Sequence, residues 1–201
     1  MRLIRGLIMV VGIIGIIVIV SLLTGYYLYS LSPSIQARLI PVSVSADAVQ
    51  SFDQKLDELD SQIKAAVGAG ENREISLIIT EKEVNSKLVQ MLAEGELPIL
   101  KRILINFGDG YFLTYAVVDA PGIDAKTGLM GRVEIIEGKP KIVLDEFNLG
   151  KLPLPKSVDK RAEQLVNIIA TLQLPETYLD ITSVEIENQQ LTVTGITKTG
   201  K

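Results

Sequence analysis

The chain has 201 residues, of which 47% are hydrophobic, and a formal net charge of −4 at pH 7; this length leaves room for one membrane segment and one domain of roughly 150 residues. It contains neither Cys nor His, which excludes thiol catalysis, disulfides, Cys/His zinc sites and imidazole acid–base chemistry. The acidic balance argues against a nucleic-acid-binding protein, because such proteins carry basic surfaces.

The first predicted element is a transmembrane helix. From Gly6 to Leu31 the chain has no charged residue, and about 20 helical residues suffice to cross the hydrocarbon core of a bilayer. Arg2 and Arg5 precede this span, as expected for a cytoplasmic flank, and three tyrosines form an interfacial belt near its far end: Tyr26, Tyr27 and Tyr29. We therefore predict a single-pass protein of the cell membrane, with residues 1–31 as cytoplasmic N-terminus and anchor and the rest extracytoplasmic. A cleaved signal peptide is the competing interpretation, but its apolar region would be shorter and followed closely by a small-residue cleavage site.

An amphipathic helix is predicted over residues 45–70, after a Pro-containing linker at residues 32–44. Ser45 is its predicted N-cap and Gly70 its stop. Apolar residues recur at alternating spacings of three and four along one face: Val49, Phe52, Leu56, Leu59, Ile63 and Ala66. The stripe covers fewer than the three heptads that a coiled coil needs. We therefore expect this face to pack on the protein's own domain or to serve as a docking surface for another protein.

Residues 71–201 are predicted to form a domain of the α+β class, in which a curved antiparallel β-sheet packs with two or three helices. After a strand at Glu74–Thr80, Thr80 and Glu83 predict a capping box for a helix from Glu81 to about Glu94. Three hairpins are predicted, with turns at residues 108–110, 137–140 and 188–190. The sequence PGIDAKTG, residues 121–128, is predicted to be a turn-rich loop, and a further helix is expected from Ser157 to about Leu172.

Both faces of the strands around residues 97–118 are largely apolar, which leaves two interpretations. Helices cover both faces, or the sheet curls on itself; alternatively, an apolar groove between sheet and helices holds an acyl chain or another apolar ligand. The candidate lining of that groove is Leu88, Met91, Leu92, Ile103, Ile105, Phe112, Leu113 and Tyr115.

The sequence LGKLPLP, residues 149–155, combines a glycine with two prolines. Gly150 permits a sharp turn, whereas the prolines hold the leucines before them in extended geometry. One interpretation is a stiff bridge that fixes where the next helix packs. The other is a membrane contact in which basic residues meet anionic headgroups beside exposed leucines; its candidate residues are Lys151, Leu152, Leu154, Lys156, Lys160 and Arg161.

Candidate catalytic or metal-binding chemistry is sparse. Four carboxylates fall at strand ends or in loops, but their spacing does not match a calcium loop: Asp119, Asp124, Asp145 and Glu146. Scattered acids in an acidic domain are usually solvated. We therefore predict no catalytic residue, no metal site and no cofactor, and expect a protein that is not an enzyme.

A family resemblance rests on five features in order: LIITEKEVNSKLVQML, a hairpin around FGDGYF, a second around IEGKP, LGKLPLPKSV before a helix, and ITSVEIENQQLTVTGI. Together with the anchor, they resemble the YpmS-like and LmeA-like families of single-span bacterial envelope proteins. The resemblance implies an extracytoplasmic domain akin to tubular lipid-binding folds and, for the LmeA-like branch, phospholipid binding in envelope maintenance. It implies no catalytic residues, and it does not include the acidic helix at residues 45–70.

Two functions follow as expectations. The first is the binding of a lipid or another apolar ligand at the outer side of the membrane, in envelope maintenance. The second is an interaction or assembly module of a membrane complex, which docks a partner protein through the helix at residues 45–70.

Overall fold

The structure is a computed structural model that describes residues 20, 23–120, 123–136, 139–152 and 179–198. Residues 23–30 are helical, and a 3-10 helix follows at Ser34–Arg38. Two α-helices belong to the domain: α1 (Ala46–Ala69) and α2 (Glu81–Ala93). The strands are β1 (Glu74–Thr80), β2 (Leu100–Phe107), β3 (Phe112–Ala120), β4 (Ile123–Ile136), β5 (Lys139–Leu149), β6 (Leu179–Glu187) and β7 (Gln190–Thr197).

Much of the predicted transmembrane span, residues 1–19 and 21–22, lies outside the described residues, as does the helix predicted from Ser157. Within the described part of the chain, no helix combines the length and the apolar character that crossing a bilayer requires.

The described strands form two antiparallel sheets. The large sheet has the order β2-β3-β4-β5, and the small sheet has the order β1-β7-β6. The predicted α+β class with antiparallel strands is confirmed, but the prediction of one sheet was wrong. The division arises because β1 pairs along its whole length with β7, from Glu74 opposite Ile196 to Thr80 opposite Gln190. Such a distant pairing leaves no trace in the local pattern of either strand.

Local signals for helix ends are confirmed. The Ser45 side chain accepts a hydrogen bond from the Ala48 N–H, and α1 ends at Gly70 in the left-handed conformation, with φ of 67°. Thr80 and Glu83 form the predicted capping box at the start of α2. These features need only neighbours three or four residues away, which is why the sequence discloses them.

The three predicted hairpins are also confirmed, as β2–β3, β4–β5 and β6–β7. The prediction of a turn-rich loop over residues 121–128 was wrong, because β4 begins at Ile123 and pairs with β3 from there. Asp124 lies opposite Asp119, and Gly128 lies opposite Tyr115. The polar and small residues of this stretch have low strand propensity, and pairing with a complete neighbouring strand overrides it.

The predicted linker contributes to the core. We call residues 33–40 the strap, because they lie across one face of the large sheet. Ile35 is 0% exposed and Pro33 is fully buried, and a Cβ atom at Gly128 would lie 3.0 Å from the Ile35 Cβ. The Ile40 N–H donates to the Asn106 side chain over 2.7 Å. The strap thus covers apolar surface that the sheet would otherwise expose.

The small sheet has one covered and one exposed face. Its inward residues include Ile75, Ile79, Ile181 and Ile186, all buried. The outward residues of β1 alternate with them, and both Ser76 and Ile78 are exposed. Helix α1 contacts β1 and β7, so the predicted packing of this helix on its own domain is observed for these strands. Only Ala48 and Ala66 of α1 are buried, which leaves much of the helix accessible.

Candidate functional site

An open groove of about 830 Å³ lies between α1 and α2. This volume is in the range of sites that hold small ligands or side chains of a partner. We call it the interhelix groove; its lining residues are Val44, Ser45, Ala46, Val49, Gln50, Asp53, Gln54, Asp57, Ser86, Val89, Gln90 and Ala93.

Polar contacts join the two helices along the groove. The Ser45 N–H donates to the Ser86 hydroxyl over 3.1 Å, at the point where α1 begins. About two helical turns further along α1, Asp53 forms an ion pair of 2.9 Å with Lys87 of α2. The helices are therefore joined at two points along the groove, and each point is set by a side chain on α2.

A buried carboxylate joins α1 to the first turn of α2. The Glu83 side chain is 7% exposed and lies 2.8 Å from the Lys55 ammonium. Burial by itself would raise the pKa of Glu83, but hydrogen bonds from Lys55, Ser51 and Thr80 outweigh it and lower the pKa to about 2. The capping box and the ion pair thus share one carboxylate, which stays ionised near neutral pH and fixes both helix positions.

The lining of the interhelix groove has an apolar part, which we call its floor, and a polar, acidic part, which we call its rim. Two of its valines are strongly exposed, Val44 at 47% and Val89 at 41%. Asp53 is paired with Lys87, whereas the Asp57 side chain has no ion pair within the part of the chain described. Several glutamines complete the rim. This arrangement suits an apolar side chain flanked by a cation better than it suits an anion.

Helix α2 is held to the large sheet by side chains that sequence reasoning missed. β2 is an edge strand of the large sheet, and the Asn85 side-chain amide forms hydrogen bonds with the unpaired edge of this strand. The Asn85 nitrogen donates to the Ile105 carbonyl (2.7 Å) and its oxygen accepts from the Ile105 N–H (2.9 Å). Asn85 is 2% exposed. Its amide therefore takes the place of a neighbouring strand.

Glu81 extends the same edge contact. One carboxylate oxygen accepts from the Phe107 N–H over 2.6 Å, and the other accepts from the Asn106 amide over 3.0 Å. The buried residues of α2 are accordingly all polar: Glu81, Glu83, Asn85 and Ser86. The available signal in the sequence was Asn106, a polar residue inside the apolar run RILINF.

The structure does not bring the predicted ligand-lining residues into one surface. Residues directly opposite each other in an antiparallel pair share a face. Ile105 is opposite Thr114, and Leu104 is opposite Tyr115, so Ile103, Ile105 and Phe112 lie on one face of the large sheet. Leu113 and Tyr115 lie on the other, which is the face covered by the strap.

The burial of the predicted lining residues differs as well. Leu113 and Tyr115 are buried, and burial raises the pKa of Tyr115, although nearby Arg102 lowers it in part. The remaining six are half-buried: Leu88, Met91, Leu92, Ile103, Ile105 and Phe112. None of the eight lines the interhelix groove.

The predicted headgroup contact is described only at its start. Lys151 is exposed and Leu152 is half-buried, whereas Leu154, Lys156, Lys160 and Arg161 lie outside the described residues. Gly150 has φ of 57°, as its predicted sharp turn requires, and it lies against the backbone of residues 28 and 29.

Each of the four candidate carboxylates has a cationic partner, although Asp145 and Glu146 lie within β5 and not at a strand end or in a loop as predicted. Lys101 donates to Asp119 (2.8 Å) and Asp124 (2.6 Å), which face each other across β3 and β4, and hydrogen bonds to these two carboxylates raise the pKa of Lys101. Asp145 pairs with Arg132, and Glu146 pairs with Arg38. Within the described ranges, no three acidic side chains are grouped as a metal ion would require.

Comparisons with protein-family models, curated proteins and solved structures give no significant match.

Proposed function

We propose that the protein is a non-catalytic interaction module of the bacterial cell envelope, held at the membrane by the predicted transmembrane helix. Its interhelix groove binds a helical segment of a partner protein. The observation that carries the proposal is the open apolar groove with an acidic rim between α1 and α2. It lies on the helix that was predicted to dock a partner, although Val49 is the one residue of the predicted apolar stripe that lines the groove.

The shape and charge of the groove define the partner's segment. A helix that lies between two others presents apolar side chains at i, i+3 or i+4 and i+7. Those side chains would contact Val49, Val89 and Ala93 on the floor. Lys or Arg residues beside the apolar stripe would lie near Asp53 and Asp57 on the rim, which steers association and sets orientation. The partner we propose is thus a basic, amphipathic helix.

The lipid-binding function predicted from the sequence draws less support. Its proposed lining is divided between opposite faces of the large sheet, and the interhelix groove has acidic groups where an anionic phospholipid would place its phosphate. The resemblance to the YpmS-like and LmeA-like families stays a prediction, and so does the lipid that it implies.

The proposal is tested with two labelled synthetic peptides and the full chain in phosphatidylcholine nanodiscs. One peptide is an amphipathic helix with Leu on one face and Lys beside it, and the other has Glu in place of each Lys. Fluorescence anisotropy should show tighter binding of the Lys peptide. Val89→Asp should weaken that binding by about tenfold or more, because it places a charge on the apolar floor.

Neighbouring carboxylates on α1 provide a matched control. Asp57 lines the groove and Glu58 does not, although both are exposed. Asp57→Lys should weaken binding of the Lys peptide by up to about fivefold, the upper range for an exposed ion pair, and Glu58→Lys should change it much less. Equal binding of both peptides, or equal effects of the two substitutions, contradicts the proposal. Binding of a fluorescent fatty acid that Val89→Asp abolishes would favour the lipid instead.

A further inference from the structure

The helical segment at residues 23–30 ends in direct contact with the domain. The Lys151 N–H donates to the Leu28 carbonyl over 2.8 Å, and the Lys126 ammonium donates to the Ser30 carbonyl over 3.2 Å. The last carbonyls of a helix have no partner within the helix itself. Here the large sheet and the residue after Gly150 supply donors to two of them.

Gly150 makes this contact possible. Its N–H donates to the Lys126 carbonyl over 2.8 Å, which joins it to β4. A Cβ atom at this position would lie 2.4 Å from the Tyr29 carbonyl oxygen, and φ is 57°. Both the left-handed backbone and the close approach require glycine. Gly150 and Lys151, the second and third residues of the LGKLPLP sequence, therefore hold the end of the helical segment at residues 23–30.

The course of the strap indicates which end of the large sheet lies nearest the helix. The helical segment ends at Ser30, beside Lys126 of β4. Further along the chain, Ile35 lies against Gly128, and Arg38 donates to the Met130 sulfur over 3.2 Å. The strap therefore runs along β4 in the direction of increasing residue number, toward Ile136. The end of the sheet with Lys126 faces the helix, and the β4–β5 turn lies at the opposite end.

We infer that the domain is seated in one orientation on the end of its predicted membrane anchor, through Gly150 and Lys126, with this end of the large sheet against the lipid headgroups. Lys151 is exposed beside the contact, where a headgroup phosphate is its natural partner. The inference rests on the predicted transmembrane helix and is independent of the interhelix groove.

Distance measurements between two spin labels test the seating. The chain has no Cys, so the substitutions Tyr27→Cys and Ile136→Cys introduce the only two labelling sites. The Tyr27 side chain is 62% exposed and the Ile136 side chain is 45% exposed. The stretch of β4 from Lys126 to Ile136 spans about 33 Å, which pulsed electron paramagnetic resonance measures well. In the full chain in nanodiscs, we expect one narrow distance distribution.

Two glycines with positive φ provide the control. Gly150→Ala should broaden the distribution severalfold, since its Cβ would collide with the Tyr29 carbonyl. Gly95→Ala should leave it narrow, because Gly95 has φ of 76° but no atom within 4 Å of the added Cβ. Lys126→Met, which removes one donor without backbone strain, should broaden it to a smaller degree. Circular dichroism of each variant verifies the fold. A broad distribution in the parent protein, or equal distributions for the two glycine variants, overturns the inference.

Single labels test the orientation toward the bilayer. Ile99 is 66% exposed, and its carbonyl accepts from the Asp119 N–H at the Lys126 end of the sheet. A label on Ile99→Cys should be relaxed strongly by nickel-chelating lipids in the nanodisc, whereas a label on Ile136→Cys should be relaxed little. Equal relaxation of the two labels contradicts the orientation even if the domain is seated rigidly.

Discussion

Glu83 shows how one side chain can serve two elements. It completes the capping box of α2 by accepting from the Thr80 N–H (2.7 Å), and it accepts from Lys55 on α1. Its folded pKa of about 2 lies below the ordinary value of 4.5. A carboxyl with a lowered folded pKa stabilises the protein above its unfolded pKa, and this stabilisation is lost as the pH falls toward the folded pKa.

We predict that Glu83→Gln destabilises the protein at about pH 7 by on the order of 1–3 kcal/mol, with the difference shrinking between about pH 5 and pH 2. Gln retains a capping function at this position, so the loss is mainly that of the charge. Chemical unfolding followed by circular dichroism across this pH range measures the difference. Glu58→Gln, a change at an exposed carboxylate of α1, should show little effect. A difference for Glu83→Gln that stays constant at every pH would contradict this assignment.

At the scale of elements, α2 both flanks the interhelix groove and protects an edge of the large sheet. An uncovered edge strand presents unpaired N–H and C=O groups that invite pairing with another chain. The Asn85 side chain hydrogen-bonds to both backbone groups of Ile105, and the Glu81 carboxylate accepts from the N–H of Phe107. Polar contacts therefore help to set the position of α2, and with it the width of the groove.

We predict that Asn85→Leu lowers the free energy of unfolding by about 2–3 kcal/mol, because it leaves the Ile105 N–H without its acceptor and the Ile105 carbonyl with only the longer hydrogen bond from the Asn106 amide. Urea unfolding measures this change, and size-exclusion chromatography should show increased self-association through the free β2 edge. Gln90→Leu on the same helix is the control, since the Gln90 side chain bonds Lys87 and Glu94 of its own helix and not the edge of β2. Equal stability of the two variants would show that the edge contact contributes little.

At the scale of the whole molecule, the chain between the predicted anchor and α1 decides how the domain is held together. The strap buries Pro33 and Ile35 on the large sheet. Its Ile40 N–H donates to the Asn106 side-chain oxygen over 2.7 Å, and the Asn106 side-chain nitrogen donates to the Ile40 carbonyl over 3.0 Å. The helical segment at residues 23–30, the strap and the large sheet are thus in contact, and the domain begins well before α1.

We predict that a fragment of residues 31–201 folds and that a fragment of residues 45–201 is less stable by about 3–5 kcal/mol. Loss of a fully buried Ile costs about 1.5–3 kcal/mol, and the Asn106 amide loses partners worth about 1–3 kcal/mol. Thermal unfolding of the two fragments at equal concentration measures the difference. Equal unfolding temperatures would mean that the strap is only a tether.

The sequence by itself determined the features that depend on near neighbours. Helix ends were predicted from residues three or four positions apart, and hairpins from their turns, as Ser45, Thr80 and Glu83 show. The α+β class and the amphipathic character of α1 followed from the same local periodicity. For the candidate site, this periodicity named Val49 but no other residue of the predicted apolar stripe that lines the groove, and it did not identify the α2 side.

Only the tertiary structure decided which distant segments meet. The pairing of β1 with β7, the extension of β4 through residues 123–128 and the seating of the strap each join residues whose local patterns give no sign of it. The physical reason is that contact free energy depends on spatial neighbours, which a period along the chain does not specify. Buried polar groups show this most clearly, because Asn85 and Asn106 become structural only where the edge of β2 and the Ile40 backbone face them.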